Sequence, residues 1–397
     1  MARKPKAAGN PDYLLALVVA ALLVIGLIMV YSTTYILGYK FHEQPAYHLF
    51  RQLLWAVLGT GALLAMMRIE YHGWQRYSIL IMITMLLMLT ALLFVGQERF
   101  GGQRWFLGGS VQPSELAKLA VVIYMADWLS SKGQQIRQVT YGLVPFSILI
   151  GLVTGLILLQ PDFSTSLLIA ATAFAMFFIA GGELRQLVVS ALIGAMVIAL
   201  LIAQAPYRRE RLLGFLNPLQ NPTGPRFQGA QALRALQDGG WLGQGIGWGE
   251  VKFEPVFVWH TDTIFAVLGE ELGLAGCLTV LGLFALLAYR GFRIAQEAPD
   301  SFGMLLAAGI TCWLIFQALI NIAAVTAAIP FTGIPLPFIS FGGSSLVTSL
   351  AGVGLLLGIS RSVQRTEART NASFDFGGRH RRARLSRSGR RRRPSRG

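Results

Sequence analysis

"YLLALVVAALLVIGLIMVYS", Tyr13 to Ser32, holds no charged residue across its whole length. That length matches the roughly 20 residues a helix needs to cross a hydrocarbon core about 30 Å thick. The run is longer than the apolar core of a cleavable signal and no small-residue cleavage pattern follows it, so it is predicted to stay in place as a membrane anchor. Composition carries the reading outward: the 397-residue chain is 54% hydrophobic and 13% charged, against about 25% charged in an average soluble domain. Nine further apolar stretches, centred near residues 59, 87, 122, 151, 174, 196, 277, 312 and 352, satisfy the same length criterion. The predicted fold is an all-α integral membrane protein, a polytopic bundle of about ten transmembrane helices with one long structured extracytoplasmic loop. Cys277 and Cys312 both lie inside apolar runs, which excludes a disulfide scaffold or a cysteine-based zinc site.

The formal net charge of +15 is not a nucleic-acid signal once it is located. Residues 361–397 hold 13 arginines against Glu367 and Asp375, so most of the excess belongs to a tail with almost nothing apolar to bury, which reads as disordered and solvated. Cytoplasmic retention and attraction to anionic membrane lipids are the expected roles, with no nucleic acid as partner. Short loops carry Arg68 and Arg76, Lys132 and Arg137, Arg185, and Arg290 and Arg293, on the same side as Arg3, Lys4, Lys6 and the tail if the spans number ten. The excess of basic residues on cytoplasmic loops places both termini in the cytoplasm of a multi-pass protein, and Asp262 outside. The organisation expected is a cytoplasmic N-terminal segment (1–12), a membrane domain (13–361) with a long outer loop at about 206–262, and the basic tail (362–397). Within the long loop, residues 229–238 read as helical. The following "GGWLGQGIGWG", residues 239–249, reads as a tight loop that carries Trp241 and Trp248 to the membrane interface, since no βαβ unit supports a dinucleotide site.

Ionisable groups at membrane depth usually face one another or a cavity. In "QPSELAKLAVVIYMADWL" Glu115 and Lys118 stand three residues apart on one helical face and can pair; a mutual salt bridge and a cation offered to an anionic headgroup are compatible readings. "LLQPDFSTSLL" around Pro161 and Asp162, and "FTGIPLPFISFGGSSL" with Pro335, Pro337, Gly342 and Gly343, break the helical pattern, and irregular backbone near membrane depth is tolerated only where protein buries it or water reaches it. Asp162 is also a natural helix N-cap, and the hydroxyls of Ser340, Ser344 and Ser345 are natural turn caps. In "HTDTIFAVLGEEL", His260 to Leu272, a cap would account for Asp262. It leaves Glu270 and Glu271, more than two turns deeper, in need of buried partners or a cavity.

Four blocks, "GGQRWFLGGSVQPSELAK" (101–118), "QPDFSTS" (160–166), "HTDTIFAVLGEELG" (260–273) and "GIPLPFISFGGSSL" (333–346), resemble, in this order, the signature blocks of the SEDS family, the RodA and FtsW proteins of bacterial cell-wall synthesis. The likeness runs from Asp12 to about Arg361. "VYSTT", "FLNP" followed by "FQGAQALRAL", and "GISRS" resemble FtsW more than RodA. The resemblance implies a peptidoglycan glycosyltransferase of the cytoplasmic membrane that polymerises lipid II, with Asp262 as the catalytic general base acting on the 4-hydroxyl of the acceptor sugar. Arg51, Arg104, Lys118 and Ser344 would contact the substrate, with Arg208, Arg209 and Arg211 as poorer candidates. Glu115, Asp162, His260, Glu270 and Glu271 would support the cavity. A divalent cation, Mg²⁺ or Mn²⁺, with no organic cofactor, and a class B penicillin-binding protein as transpeptidase partner, beside other division or elongation proteins, are likewise what the resemblance implies. Two departures stand out: Glu254 precedes Pro255 ahead of an aromatic run, and Thr263 occupies a position where the family more often has phenylalanine. The alternative function is a flippase for lipid II or another lipid-linked precursor, against which stands the lack of an internal repeat.

Overall fold

The computed structural model describes residues 10–99, 102–105, 111–204, 225–253 and 261–363. The helices are α1 (Tyr13–His42), α2 (Tyr47–Arg68), the short α3 (Tyr71–Arg76), α4 (Ser78–Val95), α5 (Pro113–Lys132), α6 (Val144–Leu159), α7 (Phe163–Ile179), α8 (Leu184–Gln204), α9 (Pro225–Asp238), α10 (Ile264–Glu297), α11 (Ser301–Val325) and α12 (Gly343–Val363). A helix covers each of the ten apolar centres read from the sequence. Seven of the described helices, α1, α2, α4, α6 extended back to Val139, α10, α11 and α12, are long and apolar enough to cross a membrane; α7 and α8 are apolar but shorter by that measure. One short antiparallel hairpin, β1 (Gln97–Arg99) with β2 (Gly102–Trp105), follows α4.

Local chemistry sets the helix starts. Asp12 accepts from the Leu15 N–H at 3.0 Å and Asp300 from the Gly303 N–H at 2.8 Å, each capping donors that the first turn leaves unpaired. Pro113 begins α5, where a missing N–H costs nothing. The lateral order follows burial. α11 packs against α5, α7 and α10, and α1 against α2 and α10, so α11 is buried nearly all round while α2 and α4 leave wide apolar faces outward.

One end of the bundle is tied by polar contacts between distant segments. The Asp12 N–H donates to Ser360 Oγ at 3.2 Å, and Arg290 Nε and Nη2 donate to Asp12 Oδ2 at 2.8 and 2.5 Å. The starts of α1 and the ends of α10 and α12 therefore lie together. At that end Tyr71 donates its hydroxyl to Asp300, and burial together with the neighbouring carboxylate holds its phenol well above the usual tyrosine range. Gln75 and Ser78 donate to Asp127 at 3.1 and 2.5 Å. Arg290→Ala would strand the buried Asp12 carboxylate and is expected to cost roughly 3 kcal/mol, whereas Ser360→Ala removes one neutral bond worth about 1 kcal/mol. Thermal unfolding of the two purified variants checks the order.

Candidate active site

The polar groups singled out in the sequence gather toward the other end of α11. α10 begins at Ile264, and its cap position is Thr263, with no side-chain cap bond. Asp262 thus precedes the helix without capping it. Its Oδ1 accepts from Thr261 Oγ1 at 2.7 Å, and the residue is partly exposed. Its backbone carbonyl accepts from Asn321 Nδ2 at 2.7 Å, and the same amide nitrogen donates to the Ile334 carbonyl at 2.7 Å. Gly333, at φ +71°, faces the carboxylate: a Cβ there would stand 3.5 Å from Asp262 Oδ2. That is ordinary contact, so what favours glycine here is the positive φ, which other residues rarely adopt.

Lys118 is held one turn away on the same α11 face. It pairs with Glu115 at 2.6 Å, donates to Gln317 Oε1 at 2.9 Å and lies 5.6 Å from the Trp313 ring centre. Glu115 and Lys118 are both buried. Gln317 also accepts from the Trp313 indole at 3.0 Å and donates to the Pro335 carbonyl at 2.9 Å. Gln317 and Asn321, four residues apart, therefore share one helix face and together bind the carbonyls of residues 334 and 335. They fix the irregular segment between α11 and α12, which supplies one wall beside Asp262.

A second group lies where α5, α7 and α12 begin. Asp162 caps α7, accepting from the Thr165 N–H at 3.2 Å, and its other oxygen accepts from Gln112 Nε2 and Ser114 Oγ, each at 3.3 Å. Ser344 Oγ accepts from the Gln112 N–H at 3.1 Å, and Ser164 donates to the Thr332 carbonyl. Gln52 on α2 reaches the same segment, donating to the Ser340 carbonyl at 3.2 Å. Arg51, beside it in sequence, is exposed. The backbone of Arg104 sits in β2, while its side chain, along with His260, Glu254, Pro255, Arg208, Arg209, Arg211 and the 364–397 tail, lies outside the described residues.

Glu270 and Glu271 are fully buried and bind protein groups. Glu270 Oε1 accepts from the backbone N–H groups of Glu250 and Val251 at 2.7 and 3.1 Å. Glu271 accepts from Ser32 Oγ at 2.6 and 2.8 Å and pairs with Lys252 at 2.8 Å. These contacts join α1, α10 and the glycine-rich loop. Lys252→Met leaves Glu271 charged and unpaired in the interior and is expected to cost roughly 3 kcal/mol, while the double change Lys252→Met/Glu271→Leu recovers most of that loss. Melting curves of the single and double variants test the pairing.

The fold and this arrangement define a multi-pass membrane protein in which buried amides and irregular backbone hold one partly exposed carboxylate. The chain belongs to the FtsW, RodA and SpoVE family, whose model, described as "Cell cycle protein", matches residues 12–365. It is 38% identical over 366 residues to a probable peptidoglycan glycosyltransferase FtsW of Trichlorobacter lovleyi, covering 91% of this chain and 96% of that one. It is 41% identical to stage V sporulation protein E of Bacillus subtilis, covering 89% and 97%. Among solved structures it superposes on a chain from work on the structural coordination of polymerization and crosslinking by a peptidoglycan synthase complex, with TM-score 0.74, 30% identity and 89% and 98% coverage. The rod shape determining protein RodA of Thermus thermophilus matches with TM-score 0.65, 28% identity and 88% and 97% coverage.

Proposed function

We propose that this chain is a peptidoglycan glycosyltransferase that polymerises lipid II at the outer face of the bacterial cytoplasmic membrane, with Asp262 as general base, serving septal wall synthesis in cell division. The observation that carries the reading is the contrast among the buried acids: Glu115 and Glu271 are held by cations and Glu270 by backbone N–H groups, whereas Asp262 is partly exposed beside a glycine. A carboxylate that solvent reaches can meet a substrate hydroxyl, which the three buried acids cannot. The names of the relatives support the glycosyltransferase activity, and the family description, "Cell cycle protein", is in keeping with a division role.

In this mechanism Asp262 accepts the proton of the acceptor 4-hydroxyl as its oxygen bonds to the anomeric carbon of the donor. The bond from that carbon to the pyrophosphate oxygen breaks, and the lipid pyrophosphate leaves with the electron pair. A pyrophosphate leaving group needs charge stabilisation more than protonation. Lys118, buried and bonded to Glu115 and Gln317, supplies fixed positive charge toward that end of α11. Asn321 fixes the backbone of the base, so the base and the cation are set by amides one turn apart, which supplies part of the orientation such a displacement requires.

Mg²⁺ or Mn²⁺ would arrive with the pyrophosphate, since Mg²⁺ is commonly held by one or two carboxylates and substrate phosphates. Among the described residues no three His, Cys, Asp or Glu side chains converge, a donor set that does not fit a resident ion. The partner is a class B penicillin-binding protein, in keeping with a relative described in a synthase complex that polymerises and crosslinks. Both termini are cytoplasmic, in keeping with the contact between Asp12 and Ser360 and the basic tail.

The test is glycan synthesis from labelled lipid II by the chain purified with its transpeptidase. Asp262→Ala is expected to drop polymer to background, by 10²-fold or more, with unfolding temperature and partner binding unchanged. Asn321→Leu, which frees the Asp262 backbone, is expected to lower kcat more than it raises KM. Equal polymer from wild type and Asp262→Ala would remove Asp262 as the base.

A further inference from the structure

The loop 239–249 does not merely lie beside α10; it takes the place of part of that helix. Gly273 has φ +66° and ψ −167°, a break inside α10. In an unbroken helix the N–H groups of Leu274 and Ala275 would bond to the carbonyls of Glu270 and Glu271. Here the Leu274 N–H donates to the Gly240 carbonyl at 2.9 Å and the Ala275 N–H to the Trp241 carbonyl at 3.1 Å. The freed carbonyls of Glu270 and Glu271 accept instead from the N–H groups of Gln244 and Gly245, at 2.9 and 3.0 Å. Two helical bonds are exchanged for four bonds to the loop, with each orphan group partnered.

Close backbone approach makes the exchange possible. A Cβ on Gly243 would fall 2.2 Å from the Glu271 carbonyl oxygen, and one on Gly273 would fall 2.3 Å from the Gly243 nitrogen. Both glycines also have positive φ, which other residues rarely adopt. The side-chain bonds of Glu270 to Glu250 and Val251, and of Glu271 to Lys252, secure the loop's far end.

The depth of the break follows from charge. From Leu274 to Tyr289 no residue is charged, and Arg290 then meets Asp12. That stretch rises about 24 Å, short of the roughly 30 Å hydrocarbon core. If Arg290 marks one boundary, Gly273 lies inside the other. The loop bears no charge, and Trp241, Leu242, Ile246 and Trp248 are 77%, 84%, 54% and 77% exposed. They continue an outward apolar face of α10 that includes Leu274 and Leu278.

We propose that residues 239–249 form a re-entrant membrane loop that plugs the break in α10 and presents Trp241, Leu242, Ile246 and Trp248 to lipid at the acyl-chain and headgroup boundary. A hydrocarbon surrounding explains both halves of the observation, because exposed backbone groups are untenable there while exposed apolar side chains are not. Tryptophan at that level is the expected anchor. The inference stands independently of the reaction the chain catalyses.

The experiment uses the full chain in liposomes without a partner protein. With Cys277 and Cys312 replaced, Leu242→Cys and Ile246→Cys are spin-labelled, and relaxation by dissolved oxygen is compared with that by a water-soluble nickel chelate. Glu297→Cys serves as a water-facing reference. Labels at 242 and 246 are expected to respond more to oxygen than to nickel and to be at least fivefold less sensitive to nickel than the label at 297. A nickel response equal to the reference would overturn the proposal and leave this face to a protein partner. Hydrogen exchange on the unmodified chain gives a readout free of substitution: the amides of Gln244, Gly245, Leu274 and Ala275 are expected to exchange at least a hundredfold slower than an open loop. Exchange at open-loop rates would equally reject it.

Discussion

Inside a bilayer no water is available to satisfy a backbone group, so each N–H and C=O freed by a departure from helix must find a partner within the protein. This constraint governs two irregular places near the site. Between α11 and α12, carbonyls of the segment are taken by four side chains from three helices: Ser164 of α7 at residue 332, Asn321 and Gln317 of α11 at 334 and 335, and Gln52 of α2 at 340. At Gly273 the loop itself supplies the partners. The buried amides are thus a condition for having non-helical backbone beside Asp262 at all.

Charge is handled by the same logic. Burying an ion is tolerable only with compensation, and Glu115 with Lys118, Glu271 with Lys252, and Asp12 with Arg290 each meet that requirement. Every one of these pairs joins groups that would be destabilising alone; Glu271 with Lys252 and Asp12 with Arg290 also tie distant segments together, while Glu115 and Lys118 pair within α5. Asp262 differs in kind. Its close side-chain neighbour is a hydroxyl, its surroundings are partly open, and its main chain is held by Asn321. A held backbone with a carboxylate that solvent reaches suits proton transfer better than a fully buried acid does.

Much of this was legible in the sequence for reasons that can be stated residue by residue. Apolar runs of membrane length located the helices, because spanning length is imposed by the solvent. Glu115 and Lys118 were legible as a pair because three residues place them on one helical face. Asp162 was legible as a cap from its position alone. What stayed hidden depends on long-range contacts: Lys118 reaches Gln317 across 199 positions and Glu271 reaches Ser32 across 239. "FQALIN", residues 316–321, did carry a signal, since two amides four apart in an apolar span require partners. The reading of Asp262 as a cap fails for a local reason, because α10 starts one residue later and Thr263 takes the cap position. The β1–β2 hairpin was likewise outside an all-helical expectation, being too short to show a period-two pattern.

The segment Ile264–Leu272 connects the two irregular regions. It is two and a half turns long, and all but Leu272 are buried. Asp262 adjoins one end, held through its carbonyl to Asn321; the other end is bonded to the glycine-rich loop through Glu270 and Glu271. A short helix clamped at both ends transmits displacement along its axis, because its internal hydrogen bonds resist stretching and close packing resists rotation. The loop and Asn321 thus fix the two ends of one closely packed helical unit. The loop bonds to Leu274 and Ala275 as well as to Glu270 and Glu271, so the break at Gly273 is bridged, and Asp262 is tied through one short helix to the sixteen-residue apolar stretch that follows.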